Sequence, residues 1–312
     1  MKGSPPAHAW WSRLRHQGLL LSPVVMIERY PAAPDAITFF PLGKLRDAHT
    51  RFATKAKAEA DGADRDQAAT LGFVDSLFEN LLGHTGMRLA KQHNIQEKFT
   101  VAIRIGSRSD TIRPHRIIFA DDAGQTPALL VMADPSPQVG RGRGRTKYAQ
   151  MLELLRGTGQ RLGVLTNGQQ FRLVYAGLDF ESWCEWESDR WFDDGEGTEE
   201  LCGLRQLLSP ESLKPIKEGS SGLLDAVEES RKRQADLSSV LRENVRQAVE
   251  LLLEEVSTAS VCLPSPDNCF RSMIRSLPNP TASVRCTNRL MKPLATKAAP
   301  TSCSTGRPLG PG

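Results

Sequence analysis

Apolar positions along the chain fall into blocks of two periods. In LGFVDSLFENLLGHTG, residues 71–86, they recur at 73/74, 77/78 and 81/82, which predicts an amphipathic helix stopped at Gly83 or Gly86. FTVAIRI at 99–105 alternates as a strand does. So do RIIFA at 116–120 and ALLVMA at 128–133, which the turn-forming DDAGQTP joins into a hairpin. A helix is predicted from about Lys147 to Arg156, and RLGVLTNGQQFRLVYAG at 161–177 reads as two strands around an Asn167-Gly168 turn. Upstream, residues 1–40 read as a strand-bearing entry segment, with LLLSPVVMI at 19–27 as a buried strand too short to span a membrane. Residues 44–60 are charged and helix-permissive, with a break at Asp61-Gly62. The order helix–strand–hairpin–helix–hairpin predicts an α/β fold, a mixed sheet flanked by helices.

SPESLKPIKEGSSG, 209–222, is a linker by composition. Beyond it, 223–257 is helical, and Leu237, Leu241, Val245, Ala248, Leu252 and Val256 form a stripe at three- and four-residue steps. The stripe needs a partner surface: its own domain, a following domain, or a self-associating coiled coil. The expected organisation is therefore an α/β domain at 1–208, a linker at 209–222, a helical connector at 223–258 and a disordered tail at 259–312. The tail holds eight of the 20 prolines and four of the six cysteines, with no Trp, Tyr or Glu. Such a segment buries too little surface to offset its ordering entropy. An abrupt change of character after a well-formed helix is what a frame shift or truncation of a longer protein produces. A native basic tail that touches nucleic acid is the alternative.

Charge sharpens the division. The formal net charge is +4, but residues 261–312 carry seven Lys or Arg against Asp267 alone. The preceding 260 residues hold 33 bases and 35 acids, so the body is near neutral and the tail is basic. No cysteine pair has the CxxC spacing of a zinc site, and nothing suggests a disulfide framework, so a reducing cytoplasm is the expected compartment. Arg13 and Arg15 precede an apolar run, but Glu28 and Arg29 follow it without a small-residue cleavage site, which argues against a signal peptide.

The hairpin carries the candidate chemistry. RPHRIIFADDAGQTPALLVMAD, 113–134, has the spacing of the metal-dependent PD-(D/E)xK nucleases, in which two carboxylates share a hard divalent cation and a lysine steadies the attacking water. With FVDSLFENLL, ALLVMAD, a Tyr- and Gln-bearing helix and GVLTNGQQFRLVY, residues 71–177 resemble that family, specifically the nuclease-like amino-terminal domains of restriction-modification proteins. The wider run 10–258 looks like the amino-terminal region of large single-chain type II restriction-modification methylases. It includes WWSRLRHQGLLLSPVVMIERYP, GRGRTKYAQMLELLRGTG and YAGLDFESWCEWESDRWF.

The resemblance implies a restriction-endonuclease-like core and assigns roles by position. The aspartate after Pro114 is replaced by His115; the acid of acid-x-Lys by Met132; its lysine by Asp134. Glu79 matches the family's helical acid and Gln150 the glutamine of the later helix. A thioether is the wrong ligand for magnesium. The site is thus degenerate, with no catalytic residue and no metal expected; read structurally, Met132 packs in the core and Asp134 caps the strand end. The competing reading is a divergent Mg²⁺-dependent endonuclease using Glu79, Asp122 and Asp134. An adenine methylase also needs a glycine-rich S-adenosylmethionine loop and an Asn-Pro-Pro-aromatic motif, and the sequence shows neither: Thr281 follows Asn279-Pro280.

GRGRGRTK, 140–147, sets Arg141, Arg143, Arg145 and Lys147 before a helix, an arrangement suited to phosphate. It matches neither a dinucleotide fingerprint nor a P-loop, and phosphate contacts would position duplex DNA without reading it. Trp183, Trp186 and Trp191 lie among acids that repel a nucleic-acid backbone, so they read as packing residues. His84 reads as a helix-end residue. The expected protein is a truncated, catalytically degenerate, DNA-associated amino-terminal part of a restriction-modification methyltransferase-like protein. A protein-binding scaffold that uses the 223–257 stripe is the non-enzymatic alternative.

Overall fold

PALLVMA is apolar throughout because both faces of its sheet are covered. The computed structural model describes residues 8–58, 66–105, 108–140, 146–193, 196–216 and 221–262. Helices α1 (Ala9–Arg13), α2 (Pro23–Arg29) and α3 (Phe39–Ala58), with strand β1 (Arg15–Gln17), precede α4 (Gln67–Ser76), which runs into a π-helical turn at Leu77–Leu81. Then come β2 (Leu89–Lys91), β3 (Val101–Ile105), β4 (Arg108–Ile112), β5 (Arg116–Phe119) and β6 (Pro127–Ala133). They are followed by α5 (Lys147–Gly157), β7 (Leu162–Thr166), β8 (Gln170–Ala176), β9 (Glu181–Glu187), α6 (Glu196–Leu208), α7 (Pro210–Leu213) and α8 (Gly222–Cys262). The chain divides into two units, residues 1–245 and 246–312.

The main sheet has seven strands in the order β1-β9-β8-β7-β6-β5-β2. β2, β5 and β6 form an antiparallel meander, β6 and β7 run parallel, and β7, β8, β9 and β1 continue antiparallel. Parallel neighbours in sequence need a crossover, and α5 supplies it. Its first turn is capped by Thr146, whose hydroxyl accepts from the Ala149 amide, and Met151, Leu152, Leu154 and Leu155 are its buried face. Alternation along β6 divides its side chains between two cores. Leu129 and Val131 pack with Phe73, Val74 and Phe78 on the α4 side. Leu130 and Met132 pack with Met151, Leu154 and Leu165 on the α5 side. The mixed α/β sheet flanked by helices is as the sequence predicts.

Several segments differ from expectation. LLLSPVVMI is not a strand: Ser22 caps α2 by accepting from the Val25 amide, Pro23 occupies the first turn, and Val25 and Met26 are buried. The cap and proline decide what a short apolar run leaves open. The strand of the entry segment is instead polar β1, placed by its ladder to β9. β3 pairs with β4 in a separate two-stranded ribbon, outside the main sheet. β9 lies in the acidic tryptophan segment; Ser182, Cys184 and Trp186 alternate inward, so a two-residue period was present beneath the charge. Trp186 and Trp191 are buried in the larger core, and Trp183 is half-buried.

The described part of 209–222 packs on the body. Ser209 caps α7, Leu213 is fully buried, and Leu223, Ala226 and Val227 of α8 join the larger core. The expected disordered tail lies outside the described residues from 263 onward. Among the described residues no helix is long and apolar enough to cross a membrane.

Gly163 seats α5 against the sheet. A Cβ there would overlap Met151 Cε and approach the Leu130 carbonyl oxygen to 2.8 Å. Gly163→Ala should lower the stability of the folded body by about 1–3 kcal/mol in denaturant titration. An unchanged midpoint would contradict this close packing.

Candidate functional site

The β5–β6 hairpin ends where α4 and α5 both begin. His115 precedes β5, and its amide donates to the Val131 carbonyl at 2.8 Å. Its imidazole is held from two sides. Nδ1 accepts the Ala133 amide at 3.1 Å, and Nε2 meets the side-chain amide of Gln67, the first residue of α4, at 2.5 Å. With Nδ1 accepting, Nε2 carries the proton and Gln67 must present its oxygen. Burial, reinforced by the charges of Lys147 and Arg116, pushes the His115 pKa down to about 4. At neutral pH His115 is therefore an uncharged group fixed across the hairpin end.

Asp134 follows β6, and its amide donates to the Thr166 carbonyl of β7 at 2.8 Å. The carboxylate is buried and turned onto the loop it begins. One oxygen accepts the Ser136 amide at 3.0 Å and the Ser136 hydroxyl at 2.5 Å; the other accepts the Gly140 amide at 2.9 Å. Asn167 donates to the carbonyls of Ser136 and Pro137, and Gln170 accepts the Val139 amide. Gly140 has φ +72°, and a Cβ there would lie 3.0 Å from Arg172 Nη1. The 134–140 loop is thus built from the strand end and the Asn167-Gly168 turn, and it aims the chain into the glycine-arginine stretch. Arg141, Arg143 and Arg145 lie outside the described residues. Lys147 opens α5 and donates to Gln150 Oε1 at 3.1 Å.

Glu79 sits elsewhere. It belongs to the π-helical turn on the α4 side of the sheet, and Lys91 of β2 reaches its carboxylate at 2.9 Å. Lys91 also lies 3.4 Å from Asp75, and the Glu79 hydrogen bond raises the lysine pKa. Asp75 in turn takes a bidentate contact from Arg116 at 2.6 and 2.9 Å. Asp75, Glu79, Lys91 and Arg116 form one charge-balanced network between α4 and strands β2 and β5. Met132 is buried on the opposite face of the sheet with Met151 and Leu165. Glu79 and Met132 therefore do not converge.

The triad of Glu79, Asp122 and Asp134 is not assembled either. Asp122 lies in the hairpin turn, bonded to Arg88 at 2.5 Å, which lowers its pKa. Asp134 lies beyond the far end of seven-residue β6, about 20 Å away at 3.3 Å per residue. Among the described residues no group of three or more His, Cys, Asp or Glu side chains is gathered to hold a metal ion. His84, after the π-helical turn, is buried and donates from Nε2 to the Leu208 carbonyl at 2.7 Å.

Sequence reasoning missed Gln67, Asp75, Lys91 and Arg172, and read Asn167 only as a turn residue. Arg172 forms a bidentate contact with buried Glu185 at 2.9 and 2.6 Å and lies 4.0 Å from the Trp183 ring centre, beside Gly140. The alternating charges of β8 and β9 were the available signal. No protein-family model, curated protein or solved structure matches the chain.

The ion network separates two kinds of carboxylate. Arg116 is buried, whereas Glu79 and Lys91 are each more than one-third exposed. Asp75→Ala, which strands the guanidinium, should cost about 3 kcal/mol. Glu79→Ala should cost less than about 1 kcal/mol. Equal losses in urea titration would contradict this division.

Proposed function

We propose that residues 10–258 form the amino-terminal region of a restriction-modification DNA methyltransferase-like protein, in which a nuclease-like domain without catalytic groups contacts duplex DNA. The topology supports this reading: a helix leads into a three-strand antiparallel meander, a crossover helix, and a strand parallel to the last. The cytoplasm is the compartment this reading implies. S-adenosylmethionine would belong to a methylase region.

The observation that carries the proposal is the chemistry of the hairpin end. A nuclease needs carboxylates open to a cation there. Here an uncharged His115 is locked between strand and helix, and Asp134 accepts three donors from its own loop. In sequence, Arg141, Arg143 and Arg145 stand between the 134–140 loop and the helix opened by Lys147. Cations on a loop beside a helix start suit the phosphate backbone, which gives affinity without sequence readout. The separation of Asp122 from Asp134 weighs against the magnesium-dependent endonuclease.

Purified protein with Mg²⁺ or Mn²⁺ should leave plasmid DNA intact while binding duplex DNA with strong salt dependence. Neutralising Arg141, Arg143 and Arg145 together should lower the magnitude of the log K against log salt slope by up to about 3, at roughly 0.9 per phosphate contact. Lys147→Ala should lower it by about 1. Unchanged binding would remove this loop from the interface, and cleavage abolished by Asp134→Ala would overturn the non-catalytic reading.

A further inference from the structure

A cavity of about 730 Å³ opens between the segment that follows α2, the end of the π-helical turn, α6 and α7. Its volume is that of a small-molecule pocket. Leu81 ends the π-helical turn, and Leu82 and Gly83 continue the lining from there. A π-helical turn is an uncommon element that recurs beside functional sites. Cys202 is a buried part of the lining, and burial holds its thiol above the ordinary range, so it is a neutral wall rather than a nucleophile.

Two neighbours on α6 give the cavity its polarity. Arg205 lines it half-buried and makes no hydrogen bond or ion pair among the described residues. The other guanidinium of the lining, Arg29, is already taken by Glu229 at 2.7 Å. Gln206 donates from Nε2 to the Ala32 carbonyl at 2.9 Å, which fixes its amide and leaves Oε1 buried without a donor. A buried acceptor without a donor is costly to keep. The lining therefore holds one cation and one acceptor that the described residues do not satisfy. Two exposed acids, Asp35 and Glu211, stand at the same cavity, and neither is ion-paired among the described residues.

These groups select a ligand by sign. A phosphate or a dicarboxylate would match Arg205 but face Asp35 and Glu211 as like charges. An amine alone would leave Arg205 unmatched. A zwitterion answers both: its carboxylate suits the fork of the Arg205 guanidinium, and its ammonium donates to Gln206 Oε1 with the two acids nearby. Leu81, Leu82 and Pro210 then offer an apolar wall to a side chain. We propose that this cavity binds a free α-amino acid with an apolar side chain, held by Arg205 and Gln206. The inference is independent of the proposed contact with DNA.

Isothermal titration of the full chain with L-phenylalanine should show saturable binding with a Kd below about 10 mM. Three analogues separate the contacts: 3-phenylpropionate lacks the ammonium, 2-phenylethylamine lacks the carboxylate, and glycine lacks the side chain. Each should bind about tenfold or more weakly, the scale of one charge-assisted hydrogen bond or one buried apolar side chain. Arg205→Met should weaken L-phenylalanine about tenfold and leave 2-phenylethylamine unchanged, a pattern that a merely structural arginine would not give. Ala33→Trp, at an exposed position of the lining, should abolish binding while the melting of the folded body stays the same. Absence of saturable binding would overturn the proposal. So would an analogue that binds as well as L-phenylalanine, or Arg205→Met or Ala33→Trp without effect.

Discussion

The bidentate contact between Arg116 and Asp75 fixes what the rest of the hairpin can do. A guanidinium does not shed its proton, so a buried arginine must keep a carboxylate beside it. Both oxygens of Asp75 are taken by Arg116, and Lys91 lies against Asp75 and Glu79 together. The acids on the α4 side of the meander therefore face cations supplied by β2 and β5. Lys91 and Arg116 thus balance the charges of Asp75 and Glu79 within the fold.

The same economy operates at the hairpin end. Asp134 turns its carboxylate onto Ser136 and Gly140, so a strand-terminal acid becomes the organiser of a loop. His115 spans from Ala133 to Gln67 and stays uncharged, which joins the hairpin to the start of α4. These contacts tie the hairpin end to the start of α4 and to the loop that follows β6.

Much of the fold was legible because its signals are local. The four-residue period of 71–86, the alternation of RIIFA and ALLVMA, and the Asn167-Gly168 turn each specify an element within a few residues. LLLSPVVMI misled because Ser22 and Pro23 act as a helix start inside an apolar run, and β9 was obscured by glutamates on its outward positions. The site was less legible. Spacing identifies His115, Met132 and Asp134, but it does not show that Met132 and Glu79 face opposite sides of the sheet. Nor does it show that Gly140 returns to Asp134, or that Lys91 lies between Asp75 and Glu79. Those facts depend on pairing between β2 and β5 and on the loop closing after β6, which are contacts distant in sequence.

The most direct measurement is a Mn²⁺ titration of isotopically labelled protein, followed by paramagnetic broadening of backbone amide signals with and without duplex DNA. The account predicts no saturable broadening shared by the amides around Glu79 and Asp134. Saturable broadening centred on both, abolished by Asp134→Ala, would show a divalent ion held at the hairpin and would contradict it.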